Sequence, residues 1–281
     1  MRAALKLTAF FFLAIFLIGI LASVIVRMRE SANRVRCQDH LRQVGWFALW
    51  DYTDRDLAFP KDAPSKAFQL PKDAKPKTDL TFPPGTLANP NLPPEQRLSW
   101  EVILLPHLGR EPLQKEFDLS QGWQAEANHK AVCTLVPLYL CPSAYHPVPP
   151  DEPAQTNYIG MAGLGTDAPK LLQTDPRAGF LRFDDATKIG SVQRGFSYTM
   201  TIIETTSDIG PWAAGGPSTV RGLDADAVLY IGRGRQFGGA HPDGANASFA
   251  DGSARFLKWN MSPKAFQAMV TLADAAEKKA P

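Results

Sequence analysis

The chain of 281 residues carries 30 Lys and Arg against 28 Asp and Glu, with 44% hydrophobic and 21% charged residues. That balance excludes a collagen-like, fully disordered or disulfide-dense chain, and a net charge of +2 provides no general attraction to nucleic acid. The average conceals two biased stretches: an apolar N-terminus, and nine of the 24 prolines crowded between Pro60 and Pro94.

After a short basic N-terminus (residues 1–7), Thr8 to Val26 reads TAFFFLAIFLIGILASVIV, without a charge. As a helix this run spans roughly 28 Å, the thickness of a bilayer's hydrocarbon core, so residues 8–26 are predicted to cross a membrane and contact lipid. A cleaved secretory signal fits less well: the run exceeds a usual h-region, and a cut after Ala22 would put Ile20 where a small residue belongs. Arg27, Arg29, Arg34, Arg36 and Arg42 follow the span, against Arg2 and Lys6 before it. Counted alone, these charges favour a cytoplasmic C-terminal part, but composition leaves the direction open.

Beyond the span, Cys37, Leu41, Val44, Ala48 and Tyr52 recur at steps of four and three. This periodicity predicts a stem helix continuing to about Asp51, within a segment 27–59 of stem and first turn. Residues 60–97 are rich in Pro, Lys and Asp and are expected to form an extended excursion. The remainder, 98–281, is expected to form a single head. Within it, LSWEVILLPHL (98–108) predicts a short helix capped by Ser99. Pro112 opens a second and residues 128–136 form a third, followed by a buried strand over 137–140.

Strands are predicted over 157–161, 179–183, 198–204 and 228–231. The glycine-rich GMAGLG (160–165) has neither the dinucleotide-binding order nor a P-loop ending and is read as a turn. Asp251-Gly252 predicts a two-residue type I′ turn in a hairpin over 246–258, with Phe249 opposite Ala254, Ala247 opposite Phe256, and Ser248 opposite Arg255 on a solvent face. Ser262 and Pro263 open a C-terminal helix predicted over 263–278, with Phe266, Met269, Val270 and Ala273 as its buried stripe. Cys37, Cys141 and Cys133 lack zinc-type spacing and allow three alternative disulfides or three free thiols.

His241, nine residues, then Asp251-Gly252 form the pattern H-x9-D-G. With RESANRVRCQDHLRQVG (29–45), Phe59-Pro60, LSWEVILLPHL, YLCPS (139–143) and NYIGMAG (157–163), the chain resembles, over nearly its whole length, the pilin-like family of unknown function numbered 1559. That family is similar to the type II secretion pseudopilins. The resemblance implies an α+β fold: a long N-terminal transmembrane and stem helix followed by a pilin-like head on an antiparallel β-sheet. It also implies a protein of the cytoplasmic membrane with its N-terminus inside and its head extracytoplasmic. Partners would be pilin-like subunits or secretion-system components, not nucleic acid. Cys37 and Cys141, which match family positions, become the expected disulfide, leaving Cys133 as the odd thiol.

The family's prepilin cleavage site is missing, since MRAALKLTAFFFLAIF has no Gly before the apolar run and no acidic residue within it. An uncleaved tether is therefore expected. Two chemical alternatives involve the C-terminal motif. His241, Asp243 and Asp251 could serve a metal-dependent hydrolase, and Asp243, Asn246 and Asp251 could contribute to a calcium site. Since Asp251 is accounted for by its turn and His241-Pro242-Asp243-Gly244 reads as another, a non-enzymatic protein without a cofactor is expected, with His241, Asp251 and Gly252 in structural roles.

Overall fold

The computed structural model describes residues 2–48, 80–144 and 147–273. The first element is a single helix of 41 residues, α1 (Arg2–Arg42), which widens into a π-helical turn over Gln43–Ala48. Its length is about 60 Å, twice a bilayer's hydrocarbon core. Along the first half, Phe10, Phe11, Phe12, Phe16, Ile18 and Leu21 are exposed, and the helix is long and apolar enough to cross a membrane. Along the second half, Cys37, Leu41 and Val44 are fully buried, the face that the sequence periodicity marks. The expected continuation to Asp51 and the excursion over 60–79 lie outside the described residues.

The head is a five-stranded sheet of β1 (Tyr158–Leu164), β2 (Met200–Glu204), β3 (Val220–Leu223), β4 (Gly244–Phe249) and β5 (Ala254–Lys258), ordered β3-β1-β2-β4-β5. Three of its pairings are antiparallel, but β1 and β3 run parallel, so the sheet is mixed rather than purely antiparallel. On one face, Ile159, Met161, Ile203, Ala245, Ala247, Phe249 and Leu257 pack with Phe266 and Val270. The C-terminal helix α5 (Pro263–Met269) supplies Phe266. Tyr158, Ala162 and Ile202 face the other way, into a larger core with Leu41 and Val44 of the stem region. Period-two alternation thus feeds two cores, one on each face of the sheet.

That larger core holds the small helices α2 (Trp100–Leu104), α3 (Glu111–Gln114) and α4 (His129–Val132). Ser99 caps α2 as predicted, its hydroxyl accepting from the Glu101 amide at 3.2 Å. The strand expected over 137–140 is instead a 3-10 turn, Pro137–Tyr139. Pro137 supplies no N–H for a ladder, and Tyr139 turns inward to meet Trp212 at 5.6 Å between ring centroids. Residues 80–97 pack on the head, with Phe82 N–H bonded to the Thr187 carbonyl at 2.8 Å and its ring against Phe180.

Three strand expectations are revised. GMAGLG is not a turn: residues 160–164 lie in β1, which is bulged between Met161 and Gly163. Residues 179–183 lie beside β1 and bond to it through Gly179 and Leu181, without forming a regular strand. Residues 228–231 hold a single bridge, Ile231 with Phe237, whereas β3 was not predicted. At the hairpin, Ser248 pairs with Ala254 and Ala247 with Arg255, one residue out of the predicted register. The physical reason is the loop. Gly252 alone takes a positive φ (77°), the Phe249 amide bonds the Ser253 carbonyl, and Asp251 Oδ1 accepts from the Ser253 amide and hydroxyl at 2.9 and 2.6 Å. This is a three-residue loop with a glycine bulge, which absorbs the extra residue.

The supposed solvent face of β4 is covered. Ser248 and Asn246 are buried beneath the stem, and a Cβ on Gly45 would stand 2.8 Å from Ser248 Oγ, so glycine is what lets the stem approach the strand. Ser262 caps α5 as expected, accepting from the Ala265 amide at 3.2 Å. The helix ends at Met269, however, and residues 274–278 of the predicted extension lie outside the described residues.

Glu101 is fully buried, with one carboxylate oxygen, Oε2, left unpartnered among the described residues. Burial raises its pKa well above 4.5, against a smaller lowering by the Thr156 hydroxyl, which donates at 2.8 Å. Above pH 4.5 the unfolded chain therefore binds fewer protons here than the folded one. Stability should fall with rising pH by up to about 1.4 kcal/mol per unit. Glu101→Gln should remove that slope in denaturation curves taken between pH 4.5 and 8; an unchanged slope would refute the assignment.

Candidate functional site

The stem meets the head at a small polar cluster buried between them. Cys37 arrives on α1 because it occupies the stem's buried stripe. Cys141 follows the Pro137–Tyr139 turn, and its amide is held by Asn157 Oδ1 at 3.0 Å while Asn157 Nδ2 donates to the Thr205 carbonyl at 3.1 Å. Glu204 ends β2, and His241 sits just before β4 in a tight turn bridged to Gly244. The potential ligand atoms of Cys37, Cys141, Glu204 and His241 all lie within 4.8 Å of one another, and all four residues are buried.

Both cysteines are free thiols in this arrangement, with their Sγ atoms 2.6 Å apart and Cys37 donating to Cys141. His241 Nε2 lies 3.5 Å from Cys141 Sγ and 3.5 Å from Glu204 Oε2. On the opposite side of its ring, Nδ1 donates to Glu30 Oε1, from a residue 211 positions earlier on the stem. Ser143 donates to Glu30 Oε2 at 2.7 Å and accepts from Asn33 at 3.2 Å. Asn246 Nδ2 donates to Glu204 Oε2 at 3.1 Å, whereas Glu204 Oε1 is buried without a hydrogen-bond partner among the described residues. Arg34 lies over the Phe256 ring at 4.8 Å and completes the junction.

These contacts decide the protonation of the cluster. The hydrogen bond from Cys37 lowers the Cys141 pKa to about 7, burial opposing it and His241 assisting. Cys37 moves upward, first through its bond to Cys141 and then through burial, so it keeps its proton. Burial pulls the His241 pKa down, but bonds to Cys141 and Glu204, with the charge of each, outweigh it and raise the value to about 11. The result is a thiol, a thiolate-prone sulfur and an imidazolium in successive contact, flanked by two carboxyl groups.

The family resemblance paired Cys37 with Cys141 as a disulfide, and here the two lie side by side without a covalent bond; His241, assigned a packing or hydrogen-bonding part, is buried and bonded to Glu30. The geometry does not gather the other candidates. Asp243 is exposed, and its backbone carbonyl accepts from Trp259 at 3.1 Å. Asp251 serves the hairpin loop and an ion pair with Arg255 at 3.4 Å, while Asn246 faces Glu204. Asp251 lies in the loop beyond the end of β4 at Phe249, three strand steps or roughly 10 Å past Asn246, so neither the hydrolase set His241, Asp243, Asp251 nor the calcium set Asp243, Asn246, Asp251 converges. The H-x9-D-G pattern thus joins two distant structural features: His241 at the stem junction, and Asp251 with Gly252 at the hairpin tip.

Glu30 and Glu204 were missed. Each left a faint signal: Glu30 is the first acidic residue of the chain, and Glu204 is the lone carboxylate closing an otherwise uncharged strand.

A family model described as a protein of unknown function (DUF1559) matches residues 27–226, well over half of the chain. No curated protein and no solved structure matches.

Proposed function

We propose that the chain, which belongs to the DUF1559 family, is a non-enzymatic, single-pass protein of the cytoplasmic membrane that presents a pilin-like head outside the cell. Its role is structural or secretion-associated, and other pilin-like subunits are the expected partners. The observation that carries this reading is the division of one continuous helix: exposed apolar side chains over Phe10–Val26, then a stripe buried in the head from Cys37 onward. A helix that leaves such a surface bare in water would cost far more than one that sits in lipid. The pilin-like part of this reading rests on the sequence resemblance alone, the ordered segments and the H-x9-D-G pattern.

In an oxidising envelope, Cys37 and Cys141 would form a disulfide by exchange with a disulfide oxidant, which takes up two electrons and two protons. The bond would fasten stem to head beside His241 and Glu30.

The test combines topology with N-terminal sequencing. Protease added to intact spheroplasts should degrade the head and leave the membrane helix, and the extracted protein should retain the sequence MRAALK. A head protected until the membrane is lysed would overturn the assignment. A new N-terminus just ahead of the apolar run would replace the uncleaved tether by a processed, assembling subunit.

A further inference from the structure

We propose that, in its dithiol form, the protein binds one divalent cation of the zinc class between Cys37, Cys141, Glu204 and His241. Two thiolates, an imidazole and a carboxylate are a donor set that suits zinc and that calcium or magnesium would not select. The edges of the cluster already fit. Around tetrahedral zinc the S–N and N–O separations are roughly 3.5 and 3.4 Å, against 3.5 Å for Cys141 Sγ to His241 Nε2 and 3.5 Å for His241 Nε2 to Glu204 Oε2. The two sulfurs stand 2.6 Å apart and would have to part to roughly 3.8 Å, a change within reach of cysteine side-chain torsions.

The surroundings fit a ligand set better than they fit a sulfur pair alone. His241 donates from Nδ1 to Glu30 Oε1, so the proton given up on binding is the one on Nε2, whose lone pair then faces the cation; a carboxylate behind a ligating imidazole is the usual outer arrangement of such sites. Asn246 orients Glu204 through Oε2, and Glu204 Oε1 is a buried acceptor that has no partner among the described residues and that a cation would satisfy. A disulfide between the cysteines would leave that oxygen as it is. On binding, the cation enters and the remaining thiol proton and the His241 Nε2 proton leave to solvent, with no change in oxidation state. The ion would join α1 to β2 and to the turns that hold Cys141 and His241, so the dithiol protein keeps stem and head together. Oxidation of the pair by a disulfide oxidant would take two electrons from the sulfurs and release the cation.

The experiment uses the full chain in detergent micelles, carrying Cys133→Ser because Cys133 Sγ lies 3.9 Å from His129 Nε2 and could bind metal weakly. The protein is reduced, freed of reductant under anaerobic conditions and titrated with Co²⁺, then with Zn²⁺. One Co²⁺ per chain is expected, with thiolate-to-cobalt charge-transfer absorption and intense tetrahedral ligand-field bands, both lost on adding Zn²⁺. Glu30→Gln, which replaces none of the four ligands but alters the group behind His241, should weaken binding 10–100-fold while the tetrahedral spectrum persists. Absence of the charge-transfer band in protein whose two thiols titrate as free would overturn the proposal. So would a spectrum and affinity that His241→Ala, Glu204→Gln and Glu30→Gln all leave unchanged. The thiol count also separates this result from the disulfide reading, which concerns protein as extracted, before reduction.

Discussion

His241→Ala should destabilise the head by about 3–5 kcal/mol, the range for removing one partner from a buried charged pair. The side chains of His241 and Glu204 are 1% and 0% exposed, so water cannot replace the imidazole when it is deleted. The same change removes the partner of Glu30 and with it a side-chain tie between stem and head. Cavity formation alone would predict a loss that Glu204→Gln does not touch. The charge argument predicts the reverse: in the double variant, a neutral amide at position 204 should recover roughly 1–3 kcal/mol of the loss. Denaturant unfolding of the four proteins in one detergent completes the cycle. Strictly additive effects would count against an electrostatic role and leave His241 as a space-filling residue.

The second large effect concerns the cysteines. Protein extracted without reductant should show one reactive thiol per chain after denaturation, Cys133, and three after reduction. Because Cys37 and Cys141 are 104 positions apart, loop closure predicts about 4–5 kcal/mol of stabilisation from the bond. Cys37→Ala should therefore lose about that much relative to oxidised protein and much less relative to reduced protein. Three thiols titrating in denaturant before any reduction would remove the disulfide from the reading of the extracted state. The metal site proposed for the dithiol would be untouched by that outcome.

The two effects share a location but not a cause. A disulfide acts mainly by restricting the unfolded chain, whereas His241 acts in the folded state by compensating a buried carboxylate. A reduced His241→Ala protein should accordingly be the least stable of the set. In this protein Cys133→Ser should be almost neutral, since Cys133 is only partly buried and lies away from the junction.

Local features were legible in the sequence where local physics decides them. The stem stripe Cys37, Leu41, Val44 follows from helical periodicity, and the Ser99 and Ser262 caps follow from the need to satisfy the first amides of a helix. The uncharged run over 8–26 states its own preference for lipid. Where two local solutions were close in energy, the reading slipped. Asp251-Gly252 serves a two-residue or a three-residue loop, and the side-chain bonds of Asp251 to Ser253 selected the longer one and moved the register by one position. Val220–Leu223 contains Arg221 and Gly222 and shows no apolar alternation, so only its parallel pairing with β1 makes it a strand.

The junction lay beyond local reading because its members are far apart in the chain. Nothing near Glu30 or Glu204 announces a partner, and the two become functional neighbours only when β2 and the turn before β4 bring His241 between them. By itself the sequence determined a membrane-length helix, its buried stripe and the Ser99 and Ser262 caps of two shorter helices, all of which depend on spacing within a few residues or on composition; that Cys37 and Cys141 belong together was implied only by the family resemblance. Tertiary structure alone decided that these cysteines share a buried site with Glu204 and His241, because desolvation and charge pairing act on distance in space, and the chain closes those distances only after the stem has packed against the sheet.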